Sequence, residues 1–156
     1  FAFCAEIRPL FDGLIILAGC INTAKDIKAA QLLGADLVYM GTRFIPTIEA
    51  HASDTYKEMI IKANMDDIIY TSEFTGVNAN FLKPSIKAVG INPASIAAPS
   101  NKKPNKLWLA WKHWRMKNKK QWKDIWSAGQ GVTNIHNIEN VKNVIATIKK
   151  EYEQLA

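Results

Sequence analysis

Residues 16–44 read ILAGCINTAKDIKAAQLLGADLVYMGTRF, and the same grammar occurs twice within them. An apolar run, LIILA at 14–18, ends in Gly19-Cys20. A helix-like stretch follows, and a second apolar run, DLVYM at 36–40, ends in Gly41-Thr42. Short continuous apolar runs suit strands buried on both faces, as in parallel sheets. Thr23 is placed to cap the intervening helix, with Asp26 three residues on in an imperfect capping box. Ile27, Ala30 and Leu33 mark the helix's buried stripe, and Gly34 stands where a helix takes its left-handed C′ residue. Strand, helix and strand within 27 residues make a compact βαβ unit.

Parallel strands place ligands at their carboxyl ends. Glycines there let a backbone approach a phosphate, and free N–H groups donate to its oxygens. Gly19-Cys20 and Gly41-Thr42 supply both at two successive strand ends. Thr42 adds a hydroxyl and Arg43 a nearby charge. A strand-end glycine can also be only a turn residue, so spacing alone leaves the two readings level.

Outward from this unit, the chain of 156 residues allows one ordinary domain with a sizeable core. Hydrophobic residues make up 48% and charged residues 22%, which fits a globular protein. No run of about 18 apolar residues exists to cross a membrane. Two cysteines, Cys4 and Cys20, are too few for a disulfide framework, and a reducing cytoplasmic setting is expected. Phe1 lies inside a helical stripe of Phe3, Ile7, Leu10 and Phe11 over residues 2–11, so residues upstream are expected.

Beyond Thr42, Ser53 caps a helix with Tyr56, Met59, Ile60 and Ala63 on one face. DIIYTS at 67–72 is a short β-prone run, and residues 74–93 form a loop leading into a short helix. A Pro-, Ser- and Asn-rich loop covers 93–105. Asn137 is expected to cap a last helix that buries Ile138, Val141, Ile145, Ile148, Tyr152 and Leu155.

The net charge of +6 is unevenly spread. Residues 74–123 contain no acid and eleven of the 20 Lys and Arg; the remainder holds nine bases against 14 acids. All five tryptophans lie within 106–126. Basic residues interleaved with aromatics suit single-stranded nucleic acid or an anionic surface. A helix with tryptophans packed inward and lysines in solvent explains the segment equally simply and is favoured, so neither nucleic acid nor membrane is expected as a partner.

The stretch 16–44, followed by EAHASDTYKEMI at 49–60, resembles the carboxyl-terminal part of the nitronate monooxygenase (2-nitropropane dioxygenase) family. The family pattern is a strand ending Ala-Gly-Gly, a helix, Gly-Ala-Asp/Glu, a second strand, and Gly-Thr-Arg/Ala-Phe. WSAGQGV at 126–132 is similar to a Gly-Gln-Gly segment near the end of these proteins. The resemblance implies an α/β fold: the last two strands of a (βα)8 TIM barrel, here an incomplete barrel, with an added and mostly helical substrate domain. Residues 1–45 would end the FMN-binding barrel, 46–135 would form the substrate domain, and 136–156 would return to the barrel. Family members use FMN and dioxygen to oxidise alkyl nitronates. By position, Gly19 and Cys20 would present backbone to FMN after strand seven, Tyr39, Met40, Gly41 and Thr42 would do so after strand eight, and Gln130, with Gly129 and Gly131, would lie in a nearby loop.

Three departures accompany the resemblance. Cys20 replaces the family's second glycine, and Tyr39 stands where glutamine is common. The family's glycine-flanked catalytic histidine has no counterpart among His51, His113 and His136, so no catalytic residue is assigned. No metal site is expected either. The remainder of the barrel, in the same or a companion chain, is the expected partner, because two strands alone leave open edges and an uncovered apolar face. Flavin-dependent enoyl-acyl-carrier-protein reductases share the barrel and the Gly-Thr-Arg-Phe stretch, and are the alternative enzyme. An inactive fragment or a basic binding module is the other alternative.

Overall fold

The computed structural model describes residues 2–96 and 121–155. The basic tryptophan-rich segment and His113 fall largely outside them. Of the five tryptophans, the side chain described is that of Trp126.

The chain begins with α1 (Ala2–Ile7), continued by a 3-10 turn over Arg8–Leu10. β1 (Ile16–Ala18), α2 (Ala24–Leu32) and β2 (Leu37–Tyr39) follow as the expected βαβ unit. β1 and β2 pair in parallel, Ile16 opposite Leu37 and Ala18 opposite Tyr39. The Thr23 side chain accepts the Asp26 N–H, while the Asp26 carboxylate accepts the Thr23 N–H at 2.9 Å, so both halves of the capping box form. At the other end Gly34 takes φ +91°. Its N–H donates to Gln31 O and that of Ala35 to Ala30 O, the paired bonds of a Schellman motif.

The two strands are not buried on both faces. One face packs Leu17, Val38 and Met40 against Ala30 of α2 and against Ile21 and Ala35. The other leaves Ile16, Leu37 and Tyr39 at 58%, 52% and 68% exposure. The expected stripe of α1 is likewise uncovered: Phe3 and Leu10 are exposed, and its buried residue is Cys4. Both elements therefore leave apolar side chains uncovered.

Arg8 ties α1 to this unit. Its Nη1 donates to Gly34 O at 3.2 Å and to Asp36 Oδ2 at 3.0 Å. Asp36 Oδ2 also accepts the Ile15 N–H at 2.8 Å. The Ile15 hydrogen bond, and after it the Arg8 guanidinium, holds the Asp36 carboxyl below its ordinary 3.8. A lowered folded-state pKa contributes stability above the unfolded value and loses it as pH falls through the folded one. Below about pH 4 the protein is therefore expected to lose stability that Asp36→Asn never had. Unfolding midpoints at pH 5 and pH 3 check this; an equal drop in both proteins would remove Asp36 from the account.

Past a 3-10 turn at Thr42–Phe44 comes α3 (Asp54–Lys62), capped by Ser53 as expected. β3 (Ile68–Thr71) and β4 (Ala79–Leu82) form an antiparallel pair, and α4 (Lys83–Ala88) follows directly. The middle region is thus not only helical; β4 lies within the stretch expected to be loop. Ile60, Leu82, Val132 and Ile135 are fully buried together in the core that joins α3, β4 and the Gly-rich stretch. α5 (Gln121–Asp124) and a 3-10 turn at Gln130–Asn134 lead to α6 (Val141–Gln154).

The N-cap of α6 is Asn140, not Asn137. Residues before it run extended: Glu139 bridges Thr47, and Ile48 N–H donates to Glu139 O at 2.9 Å. The Glu49 carboxylate then accepts the Val141 N–H at 2.9 Å, which adds a negative charge at the helix start. The side that α6 buries runs through Val144, with Ile148 and Tyr152 partly covered, while Ile145 and Leu155 stay exposed. α6 lies on α2, where Tyr152 Oη donates to Gln31 Oε1 at 2.8 Å and Lys28 Nζ sits 4.0 Å over the Tyr152 ring.

Candidate functional site

Both strand ends open onto one hollow. A cavity of about 180 Å³ is lined by Ala18, Gly19, Cys20, Ile21, Asn22, Tyr39, Gly41, Thr42, Gly129 and Gly131. Whole small-molecule sites usually occupy roughly 300–1,000 Å³, so this hollow suits one end of a ligand. None of its lining residues carries a charge. A second hollow of about 410 Å³ shares Gly41, Thr42 and Gly129 and adds Ile45, Ala79, Asn80, Ser127 and Ala128.

Five of the seven residues expected at a cofactor line the first cavity: Gly19, Cys20, Tyr39, Gly41 and Thr42. Met40 does not, because alternation along β2 turns its side chain to the other face, where it packs beneath α2. Gln130 is exposed and opens the 3-10 turn beside the cavity, while its glycine neighbours form the wall. His51 and His136 are exposed. Among the described residues no group of His, Cys, Asp and Glu is placed to hold a metal ion.

Each glycine here has its own reason. Gly19 takes φ +100°, and Cys20 follows at φ +58°, the positive-φ residue other than glycine among the described residues. Left-handed backbone costs an L-residue roughly 1–2 kcal/mol, so Cys20 carries strain that a second glycine would not. A Cβ on Gly131 would run into the Asn22 amide and come within 3.1 Å of Cys20 Cα. Gly41 differs from both. Its φ of −102° suits any residue, and a Cβ there would meet nothing within 4 Å. Neither backbone nor packing in this chain requires a glycine at 41; what its absent side chain leaves is space at the cavity.

The 3-10 turn after Gly41 uses the N–H groups of Phe44 and Ile45, bonded to Gly41 O and Thr42 O. The N–H groups of Thr42 and Arg43 lie before its first bonded one, as at any helical start. Arg43 turns from the cavity to Glu139, with Nη2 to Oε1 at 3.1 Å. Thr42 Oγ1 accepts the Gly129 N–H at 2.9 Å, and Asn22 Nδ2 donates to Gly131 O at 2.9 Å. Asn22 was not expected at the site, whereas Gly129 and Gly131 were expected near a cofactor as the neighbours of Gln130. The cue was available only in the flanks of Gln130, since nothing local to Asn22 points 109 residues ahead. On the far side of this segment, Tyr56 Oη donates to Ser127 O and its ring stacks on Trp126 at 4.9 Å. Burial pushes the Tyr56 phenol above its ordinary 10.0, which keeps it a neutral donor.

Comparison with known proteins gives a consistent kinship. A family model described as nitronate monooxygenase matches residues 6–151. A probable nitronate monooxygenase of Staphylococcus haemolyticus is 35% identical over 65 residues, which is 42% of this chain and 18% of that protein. The structure of FabK from Thermotoga maritima, 26% identical, aligns over 97% of this chain and 48% of its own length with a TM-score of 0.68. A nitroalkane oxidase from Streptomyces ansochromogenes has the same mixed α/β fold, at 22% identity and TM-score 0.68, over 98% of this chain and 43% of its own. This chain therefore spans less than half the length of those solved structures. Among the described residues, no helix is long and apolar enough to cross a membrane.

Proposed function

Because the chain belongs to the nitronate monooxygenase family, we propose that it forms the phosphate-holding end of an FMN site in an oxidoreductase that oxidises alkyl nitronates with dioxygen. The observation that carries this reading is Gly41: a glycine with ordinary backbone angles and open space before it, beside the N–H groups of Thr42 and Arg43. A phosphoryl group accepts hydrogen bonds and needs close backbone approach, and a cavity lined by Gly19, Gly41, Gly129 and Gly131 without any acidic side chain supports that reading.

Gly19, Cys20, Gly41 and Thr42 would hold the phosphate, with Tyr39 at the cavity rim. Bound there, FMN would supply the redox chemistry, drawing electrons from the nitronate carbon and passing them to dioxygen. The chain's own share is orientation: the phosphate end is fixed by two strand ends that α2 holds in register, so the ring would be set at a constant distance from them. Tyr39 is 68% exposed and is the side chain here nearest in role to a flavin neighbour. No catalytic residue is assigned within this chain.

β1 and β2 are read as the seventh and eighth strands of a (βα)8 barrel. The remaining strands, in the same or a companion chain, would cover the apolar face of Ile16, Leu37 and Tyr39. The setting is proposed to be cytoplasmic.

The test uses the protein expressed from its complete gene. Flavin titration should give FMN at least about tenfold tighter binding than riboflavin, a difference of about 1.4 kcal/mol, because only FMN carries the phosphate. Oxygen uptake should then follow addition of an alkyl nitronate. Oxidation of a nicotinamide cofactor with an enoyl thioester, and no oxygen uptake with nitronate, would favour the enoyl reductase alternative suggested by Gly41–Phe44. Equal affinity for the two flavins would end the phosphate reading.

A further inference from the structure

We propose that Asn22 is a positioning residue: with Thr42 it latches residues 129–131 across the two strand ends, and this latch builds the wall that gives the cavity its selectivity for a phosphate-bearing ligand. The proposal rests on the phosphate reading above and adds to it a residue that touches the wall of the cavity as well as lining it.

Asn22 is 4% exposed. Its backbone N–H is held by Asp26 Oδ2 at 2.9 Å, which fixes the residue at the start of the α2 capping box. Its side-chain amide reaches Gly131 O at 2.9 Å. A second bond, Gly129 N–H to Thr42 Oγ1 at 2.9 Å, pins the other end of the same three-residue segment. The two anchors come from different strand ends, so the segment bridges β1 and β2 where they open. Gly131 lies so close to Cys20 and Asn22 that a Cβ there would displace the Asn22 amide and press within 3.1 Å of Cys20 Cα.

The flanks hold the segment at the correct height. Ala128 at 5% exposure before it, and Val132 and Ile135 at 0% and 1% after it, are sunk in the core with Leu82 and Ile60. Between those fixed points the two latch bonds, together with the Val132 N–H to Gly129 O bond at 3.3 Å, hold the backbone of 129–131. An asparagine suits the task better than its isostere. Aspartate would set an acceptor against the Gly131 carbonyl oxygen and bring a negative charge to a cavity meant for an anion.

Wild type, Asn22→Ala and Asn22→Asp, each expressed from the complete gene, are titrated with FMN and with riboflavin. Amide hydrogen exchange is followed over residues 129–132. Both variants should weaken FMN by at least about tenfold, leave riboflavin within about twofold, and speed exchange at 129–132. Asn22→Asp keeps the side-chain volume, so it carries the test if the alanine variant fails to fold. Three results would overturn the latch: unchanged exchange at 129–132, faster exchange with unchanged FMN affinity, or equal loss of both flavins. A wild type that binds FMN no better than riboflavin would instead sink the phosphate reading, and with it the selectivity of the latch. The exchange data would still show whether the two bonds hold the segment.

Discussion

Leu37→Lys is expected to remove almost all folded protein, although Leu37 is 52% exposed in this chain. The sheet face to which it belongs also carries Ile16 at 58% and Tyr39 at 68% exposure, with Leu14 nearby at 70%. The opposite face is covered by α2. If further strands close the barrel, the uncovered face becomes its interior, which side chains fill in layers. A lysine there would be an unpaired buried charge, costing several kcal/mol against a net stability of about 5–15 kcal/mol. A lysine at a position that stays in solvent should change stability by no more than about 0.5 kcal/mol. Leu32→Lys provides that comparison, since Leu32 is 89% exposed on α2. The measurement is soluble yield and thermal unfolding of the complete protein for both variants. Two indistinguishable variants would mean that the face stays in water and that the barrel assignment of β1 and β2 is wrong.

The parts of the fold that could be read from the sequence are those decided by neighbours along the chain. Thr23, Asp26 and Gly34 act within one helix, so their spacing alone announced its start and end. The strand-end glycines were legible for the same reason. Elements decided across the chain were not. Ala79–Leu82 is four residues long, and Asn80 gives it no apolar signature; it is a strand because Ile68–Thr71 pairs with it and Leu82 N–H donates to Trp126 O at 2.8 Å. Asn137 and Asn140 are equally good caps by type. The choice falls to Asn140 because Glu139 is engaged with Thr47 and Ile48, and because Glu49 arrives at the Val141 N–H. The site divides along the same line. Its two glycine pairs were visible, whereas the bond that ties Asn22 to the cavity wall reaches a carbonyl far along the chain. Met40 was placed there for its backbone, by position in a motif, and the two-residue period of the strand turns its side chain to the other face.

Gly41→Val is expected to cut FMN affinity by about 100-fold or more, about 2.7 kcal/mol, while moving stability by less than about 1 kcal/mol. The two halves of this expectation have separate grounds. Stability should hold because Gly41 sits at φ −102° and ψ −68°, within reach of an L-residue, and because a Cβ there would meet nothing within 4 Å. Affinity should fall because that open space borders the cavity lined by Gly41 and Thr42, where a phosphate would stand. Two branched methyl groups would fill it. Gly131→Val should instead cost stability, since its Cβ would run into the Asn22 amide and come within 3.1 Å of Cys20 Cα. Riboflavin, which lacks the phosphate, should bind Gly41→Val nearly as well as wild type. Flavin titration and thermal unfolding of the three proteins decide the matter. Were Gly41→Val to bind FMN normally, the space before it would have no ligand to hold, and the phosphate would have to be sought elsewhere on the strand ends. Were the variant to unfold instead, Gly41 would be a structural glycine like Gly131, and the strongest support for the site would be lost.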